Sequence, residues 1–566
     1  MSVNLPPSII LMFGAILVPL MRGRVRAAYL VFLPALSLAL LIGVTPGTPW
    51  HIGFFDYTLS PVRVDKLSLV FGYIFNIAAI IGFIYAWHVR DTVQQVAALV
   101  YAGSAIGGVF AGDLLTLFVF WEMTGLSAVF LVWSRRTPRA RAAGMRYLIA
   151  QVTSGVLLLG GTALYLNRNG TLAFEAMSPR DPATMLIFLA FGIKAAFPLL
   201  HNWLQDAYPE STEVGTVFLS AYTTKLAIYA LARGFPGTPE LIWIGAAMTA
   251  FPIFYAVIEN DLRRVLTYSM NNQMGFMVVG IGLGGLGING AAAHAFADIL
   301  FKSVLFMAMG AVLYRVGTVK GSELGGLYKS MPLTAAFCIV GAASISAFPL
   351  FSAFATKSMI IQAVADGSHP VIWLILVFAS AGVFHHSGIK IPYFAFFAHD
   401  RGIRCKEAPI NMLIAMGLAA ALCVGIGVFP GLLYRLLPEP MEYAPYTTTH
   451  VITQLQLLFF SALAFSVLIR TGLYPPELKS VNLDSDWTYR RLGPLIWERT
   501  GRPMVEAAGR LATGLGDGLS RVLFGPGEAG GRGWPAAPWQ ANSVFLLAVL
   551  VLLFYLLLDF WNATVR

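Results

Sequence analysis

Charge is what this chain has least of. Asp, Glu, Lys and Arg make up only 12% of its 566 residues, against 57% hydrophobic. Soluble domains carry about 25% charged residues, so an ordinary soluble globular class is excluded. Cysteine is nearly missing: Cys338, Cys405 and Cys423 form no CxxC pair. A disulfide framework, a zinc site and an iron–sulfur cluster therefore lose their usual signatures. There is no Walker sequence, no CxxCH and no quinone-specific signature. Glycine-rich GVFAGD (108–113) and GLGGLGING (282–290) lie at the ends of apolar helices, not after a strand in a βαβ unit, so neither reads as a nucleotide site. No cofactor and no metal are expected in this chain. Alternating ten-residue strands, which a transmembrane barrel needs, do not occur. The net charge of +10 does not call for nucleic acid, because the arginines gather in short loops.

What the chain has is length of apolar run. Mean hydropathy is +0.71, and runs of about 18 or more apolar residues recur from end to end. The pattern predicts an all-α polytopic membrane protein with about sixteen transmembrane helices, near 5–20, 28–45, 66–88, 94–111, 112–133, 146–166, 184–200, 212–232, 240–258, 265–284, 290–314, 332–362, 370–392, 409–434, 451–469 and 541–561. The first segment has its arginines after it and none before it, which fits a membrane helix better than a cleaved signal. With the N-terminus outside, the inside loops before residue 435 collect seventeen lysines and arginines. The outside loops hold six: Arg63, Lys66, Arg168, Arg180, Arg233 and Arg435. That is the expected bias of membrane topology.

Three stretches depart from a plain bundle. The inside loop 201–213 has no lysine or arginine but carries Asp206, Glu210 and Glu213; either it is placed by function, as at a proton entrance, or it is one anomalous loop. Residues 470–540 turn polar, with arginines between apolar residues at helical spacing. They read as a helix on the membrane surface or against a partner, or as a linker to the last helix. The tripeptide AFP occurs twice, at 196–198 and 347–349, each inside an apolar run and close to a lysine. Proline removes a helix hydrogen bond and frees a carbonyl, so both runs are expected to break. Paired breaks are a mark of transporters built from inverted repeats.

The scarce charges stand in telling places. Glu122, Lys194, Lys225, Lys302 and Lys357 all fall within apolar runs. A charge at the bilayer centre costs at least about 2.5–3.5 kcal/mol and is kept there for a partner or a water-filled path. Several such groups of both signs outline a proton or cation carrier. If Glu122 meets a lysine, the pair is either a switchable proton site or a static tie between helices. His294, Asp298 and Lys302 are four residues apart and form one stripe. The stripe is a relay, or a polar face satisfied by its neighbours. Lys390, beside His385 and His386, is placed near a helix end, where it can reach the interface.

The motifs FVFWEMTGLSAVFLVW, FGIKAAFPLLHNWLQDAYPE, SAYTTKLAIYAL, NDLRRVLTYSMNNQMG, HAFADILFKSVLFMAMGAV and FPLFSAFATKSMI follow one another along residues 65–435. In this order they resemble the antiporter-like membrane subunits of complex I, of membrane-bound hydrogenases and of Mrp-type Na+/H+ antiporters. The stretch from Lys320 to Phe354 is most similar to the D-type chains of the Mrp antiporters. The resemblance implies a fourteen-helix core with two inverted five-helix repeats, broken helices and a hydrophilic axis. It divides the chain into N-terminal helices (1–93), a first repeat (94–235), a second repeat (236–395), C-terminal core helices (396–470), a polar segment (471–540) and a final anchor (541–566). It also implies that Glu122, Lys194, Lys225, His294, Asp298, Lys302 and Lys357 lie along a proton path. Asp298 stands where many relatives have histidine, and is expected to pair with Lys302. The implied setting is a bacterial inner membrane, with other membrane subunits as partners and protons, with or without Na+, as cargo. Cation/proton antiport is the first reading. A proton pump of a redox complex is the second, and a part in inorganic-carbon uptake or an assembly scaffold is the third.

Overall fold

The computed structural model describes residues 7–47, 50–54, 57–475, 477–478, 482–507 and 509–510. It falls into two units, Met1–Ser485 and Asp486–Arg566. The first unit is mainly helical: α1 (Pro7–Leu17), α2 (Gly23–Ile42), α3 (Lys66–Tyr85), α4 (Thr92–Phe110), α5 (Leu114–Trp133), α6 (Pro138–Asn169), α7 (Pro182–Lys194), α8 (Asn202–Ala207), α9 (Gly215–Ala221), α10 (Thr223–Gly234), α11 (Pro239–Ile258), α12 (Leu262–Leu283), α13 (Leu286–Val316), α14 (Pro332–Ile345) and α15 (Ser352–Asp366). They are followed by α16 (Pro370–Phe397), α17 (Ile410–Val428) and α18 (Thr448–Arg470). Ten of the described helices are long and apolar enough to span a membrane. All fifteen expected spans that fall on described residues are helical. The sixteenth, 541–561, lies outside the described residues, as does the expected polar stretch beyond 510. In the second unit, residues 488–507 are helical and largely exposed.

Local chemistry explains where the helices begin. Asp65, Asp91, Asp113, Thr137, Asp181, Asp261 and Thr447 each accept a hydrogen bond from a first-turn amide of the helix they precede. A side-chain oxygen there satisfies an amide that has no partner within the helix. One element was not expected. A hairpin, β1 (Trp50–Phe54) and β2 (Tyr57–Val62), fills the loop between α2 and α3. It is fastened to α5, since the Ser60 amide donates to Asp113 at 2.8 Å.

The structure of α5–α8 recurs in α12–α15. Asp113 and Asp261 cap the first helix of each set, and each bridges to the segment that follows the second helix, at Ala173 and Lys320. Gly170 and Gly317 close α6 and α13 in the left-handed conformation. The AFP breaks then match residue for residue. Ala196 and Ala347 have φ of 59° and 58°, and Leu199 and Leu350 have 70° and 72°. Such angles are uncommon outside glycine. Pro198 and Pro349 dictate the break, because neither can donate the amide that would continue the helix. The second apolar run, 332–362, is therefore two helices, α14 and α15, with the expected break between them. A third interruption, not foreseen, separates α9 from α10 at Tyr222.

The long helix α13 sits at the centre. It packs on α3, α9, α10, α12, α14, α15 and α17, and every residue from Gly287 to Val312 is buried. Close approach of α11 and α12 depends on two glycines. A Cβ on Gly275 would lie 2.6 Å from the Gly245 carbonyl, the small-residue contact by which membrane helices come together.

Side chains that cross between loops sort by side. Arg135 meets Glu210 at 3.6 Å, Arg136 meets Asp91 at 2.8 Å, and Arg146 meets Asp206 at 2.5 Å. All of these belong to the expected inside. Arg233 and Asp65 pair at 2.6 Å on the expected outside. Charged ends on one surface meet only if the helices alternate as the loop charges require. Cysteines introduced singly as Arg139→Cys and Thr45→Cys, in a background lacking Cys338, Cys405 and Cys423, should therefore react with an impermeant thiol reagent from opposite faces of the membrane. Labelling of both from one face would contradict this arrangement.

Candidate functional site

The ionisable residues picked out from sequence lie on α5, α7, α10, α13 and α15. All but Glu122 are fully or almost fully buried. Lys194 ends α7. Its ammonium donates to the Trp121 carbonyl and, at 2.9 Å, to the Thr124 hydroxyl, and it lies 4.4 Å from the centre of the Trp121 ring. Glu122, half-buried, sits between those acceptors in sequence but is in no ion pair with Lys194. Its carboxylate lies against α6 at Gly155, where a Cβ would stand 1.5 Å from Oε1. Only glycine leaves room for it. That oxygen finds no hydrogen-bond partner among the described residues. Lys194 is thus held on a carbonyl and a hydroxyl beside a separate carboxylate, and the conditional Glu122–lysine ion pair does not form with it.

Lys225 opens α10. Its ammonium takes the Ser220 carbonyl at 3.0 Å, just before the break at Tyr222, and pairs with Asp298 at 2.6 Å. Both side chains are wholly buried. This corrects the expected pairing of Asp298 with Lys302. Four residues along a helix bring two side chains onto one face, but the shorter approach comes from another helix. Lys302 instead donates to the Leu266 carbonyl of α12 at 3.2 Å.

The third member of the stripe, His294, uses both ring nitrogens. Nδ1 is 3.0 Å from the Thr356 hydroxyl, and Nε2 is 2.9 Å from Gln273 Oε1. Thr356 precedes Lys357 on α15. Lys357 donates to the Ile345 carbonyl at 3.1 Å. That carbonyl is free because its helical partner would be the amide of residue 349, a proline. The broken helix thus supplies the acceptor for the lysine that follows the break.

Polar groups that sequence reasoning passed over fill the intervals. Tyr101 and Tyr147 reach the Thr223 hydroxyl at 2.6 and 3.3 Å, two residues from Lys225. Gln273 continues from His294 to Asn272 at 2.8 Å. Gln151 and Asn271 are buried with no side-chain partner among the described residues. A buried polar group without a protein partner is the kind that holds internal water. The run Asn271–Asn272–Gln273 inside an apolar helix was a signal in the sequence. The tyrosines were not, since aromatics in membrane helices are common.

On the expected inside surface, the acidic loop 201–213 has a plain explanation. Asp206 and Glu210 are the counter-charges of Arg146 and Arg135. Arg263, fully buried, donates to the carbonyls of Ser211 and Thr212. A little away, Asp484 lies 3.3 Å from His201 and accepts from Tyr268 at 2.8 Å. Burial pushes the Asp484 carboxyl up, but these partners outweigh it and hold it at about 2.

Residues 111–383 match the NADH:quinone oxidoreductase/Mrp antiporter transmembrane family. Over this stretch the chain is similar to that family. Among relatives, the A-type Na+/H+ antiporter chain of Alkalihalophilus pseudofirmus is 28% identical over 74% of this chain and 58% of its own length. Hydrogenase-4 component B of Escherichia coli is 25% identical over 79% of this chain and 74% of its own. The chain spans less than two thirds of the length of that antiporter relative. Among solved structures, the Mrp complex of Dietzia sp. covers 96% of this chain at a TM-score of 0.76 and 23% identity, with 65% of its own chain matched. The membrane-bound sulfane sulfur reductase, an archaeal respiratory complex, covers 97% at 0.72 and 22% identity, with 99% of its own chain matched. The polytopic antiporter-like fold is common to them.

Among the described residues, the cation paired with Asp298 is Lys225. Breaking a buried pair costs about 3–5 kcal/mol, because a charge is left without a partner. Asp298→Asn should lower the thermal stability of the detergent-extracted protein sharply. Adding Lys225→Met should restore most of it, while adding Lys302→Met should not. Rescue by Lys302→Met alone would make Lys302 the partner of Asp298 and refute the pairing with Lys225.

Proposed function

We propose that this chain is a proton-translocating, antiporter-like subunit of a multisubunit complex in a bacterial inner membrane, working in Na+/H+ antiport. The observation that carries this reading is the row of ionisable side chains buried across five helices: Glu122 and Lys194, then Lys225 with Asp298, then His294, Lys302 and Lys357. The ammonium groups of Lys194, Lys302 and Lys357 rest on carbonyls and a hydroxyl and are held by no single counter-ion among the described residues, while Lys225 is paired with Asp298. A proton arriving near one group changes the preferred partner of the next, because opposite charges nearby favour ionisation and burial opposes it. The path enters beside Lys194, passes the Tyr101–Tyr147–Thr223 hydroxyls to Lys225 and Asp298, and leaves through Lys302 or His294 toward Lys357. The matched caps and breaks support dividing the core into repeats at 94–235 and 236–395, flanked by helices 1–93 and 396–470, with a polar segment 471–540 and an anchor 541–566 beyond.

The relatives favour company for this chain. The named Mrp chains are antiporter subunits, and the structural neighbours are drawn from multisubunit membrane complexes. A second reading, a proton pump driven by redox subunits on other chains, draws on the likeness to the hydrogenase-4 component and to a NAD(P)H-quinone oxidoreductase chain 5. Purifying the native complex separates the two: small hydrophobic partners belong with antiport, and flavin or iron–sulfur subunits with the redox pump.

In everted vesicles, Lys194→Ala, Glu122→Gln and Lys302→Ala should each cut proton-coupled transport about tenfold or more while the complex still assembles. Near-parental transport by all three would refute a carrier role and leave a scaffold.

A further inference from the structure

A second group of buried ionisable side chains lies apart from the row above, where α16 ends. Lys390 was expected to reach the interface, yet it is fully buried. Its ammonium is 3.2, 2.6 and 2.6 Å from the carbonyls of Ala256, Val257 and Glu259, at the end of α11. Glu477, which follows α18, brings Oε1 to 2.9 Å from the same nitrogen. An ammonium has three protons to donate. Three carbonyls would occupy all of them, so Glu477 is a fourth acceptor that Lys390 can serve only by leaving another. A fixed cap on α11 needs no such surplus.

The groups next to Lys390 continue the pattern. His386, one turn earlier on α16, is fully buried. Its Nδ1 is 2.9 Å from the Ser387 hydroxyl, which donates to Ser269 of α12 at 2.8 Å. Its Nε2 has no partner among the described residues. An unpaired buried nitrogen gives up its hydration for nothing in return, so packing alone does not account for it. Ser269 is one turn beyond Leu266, whose carbonyl holds Lys302. Over this stretch α16 widens into π turns at Phe384–Ile389 and Tyr393–Phe397, a distortion that concentrates at functional sites.

We propose that Glu477, Lys390 and His386 form a lateral proton branch, joining Lys302 to the aqueous phase on the side that carries loop 134–137. The inference rests on the carrier reading above. A proton on the Glu477 carboxyl passes to the neutral Lys390 amine, leaving a carboxylate and an ammonium. The ammonium gives it to His386 Nε2 through an intervening water, since that nitrogen has no protein partner among the described residues. The imidazolium then releases its Nδ1 proton through the hydroxyls of Ser387 and Ser269 toward the neutral amine of Lys302. Glu477 is faced by Lys390, by Glu259 and by Tyr474, and its Oε2 lies against the backbone at Gly321. Burial raises its carboxyl above the ordinary carboxylate value, and Lys390 offsets only part of that rise.

The test uses the intact complex in everted vesicles. Glu477→Gln and His386→Gln should each slow proton-coupled transport about tenfold, and Glu477→Asp should stay within about threefold of the parent. Ser387→Cys, in a background without the three native cysteines, should react with an impermeant thiol reagent from the loop 134–137 side and not from the other. This labelling decides the matter even where a Glu477 or His386 variant does not assemble. Parental rates in both glutamine variants, or a Cys at 387 closed to both sides, would overturn the branch and leave Lys390 as a static cap. Lys194→Ala and Lys302→Ala are measured in parallel. Transport lost in those two but kept in the glutamine variants sinks the branch alone; transport kept in all four sinks the carrier reading itself.

Discussion

The Lys225–Asp298 ion pair ties α10 to α13 at the middle of the core, and much else follows from it. Neither charge is reached by solvent, so each depends on the other for a partner. Replacing such a pair by apolar side chains of equal volume is often neutral or stabilising, so its presence is weak evidence of a contribution to stability. What it does supply is position. It sets the register of α13 against α10, and so places His294 beside Gln273 and Thr356 on one side and Lys302 beside Leu266 on the other. The buried length of α13, from Gly287 to Val312, leaves no surface to which these polar groups could turn. They must find partners inside.

The helix breaks supply many of those partners. A continuous helix consumes its own carbonyls, and a buried lysine beside one would have no acceptor. Pro349 withholds an amide, and the Ile345 carbonyl passes to Lys357. The interruption at Tyr222 does the same for Lys225 through Ser220. At the first AFP break the carbonyl that Pro198 leaves without a helical amide is that of Lys194 itself, and the Lys194 ammonium turns to α5 instead.

The residues after α18 add a second layer. Asp484 and Glu477 reach back into the core, one to His201 and Tyr268, the other to Lys390. Both sit at the inside surface, next to the arginines that fix orientation. Loop 201–213 belongs to the same layer. Its carboxylates answer Arg135 and Arg146, so its lack of basic residues reflects neutralisation by neighbouring segments and not a free acidic mouth.

Much of this was legible in the sequence, for a physical reason. Bilayer thickness fixes how long an apolar run must be, proline cannot continue a helix, and a charge in an apolar run is costly enough to be kept only for a purpose. Spans, the two proline breaks and the ionisable residues inside apolar runs follow from those rules. Partners do not, because pairing is a matter of distance between helices that are far apart in the chain. Spacing placed Asp298 next to Lys302, four residues on, while the fold placed it against Lys225, seventy-three residues before. Glu122 and Lys194 looked like a pair, yet Gly155 opens a separate niche for the carboxylate. Lys390 looked like an interfacial lysine until the end of α11 and the return of Glu477 enclosed it. The sequence by itself determined that Glu122, Lys194, Lys225, His294, Asp298, Lys302 and Lys357 would lie within apolar helices and that Pro198 and Pro349 would break two of the runs. Only the tertiary structure decided which of those groups face one another, because every such contact is made between separate helices.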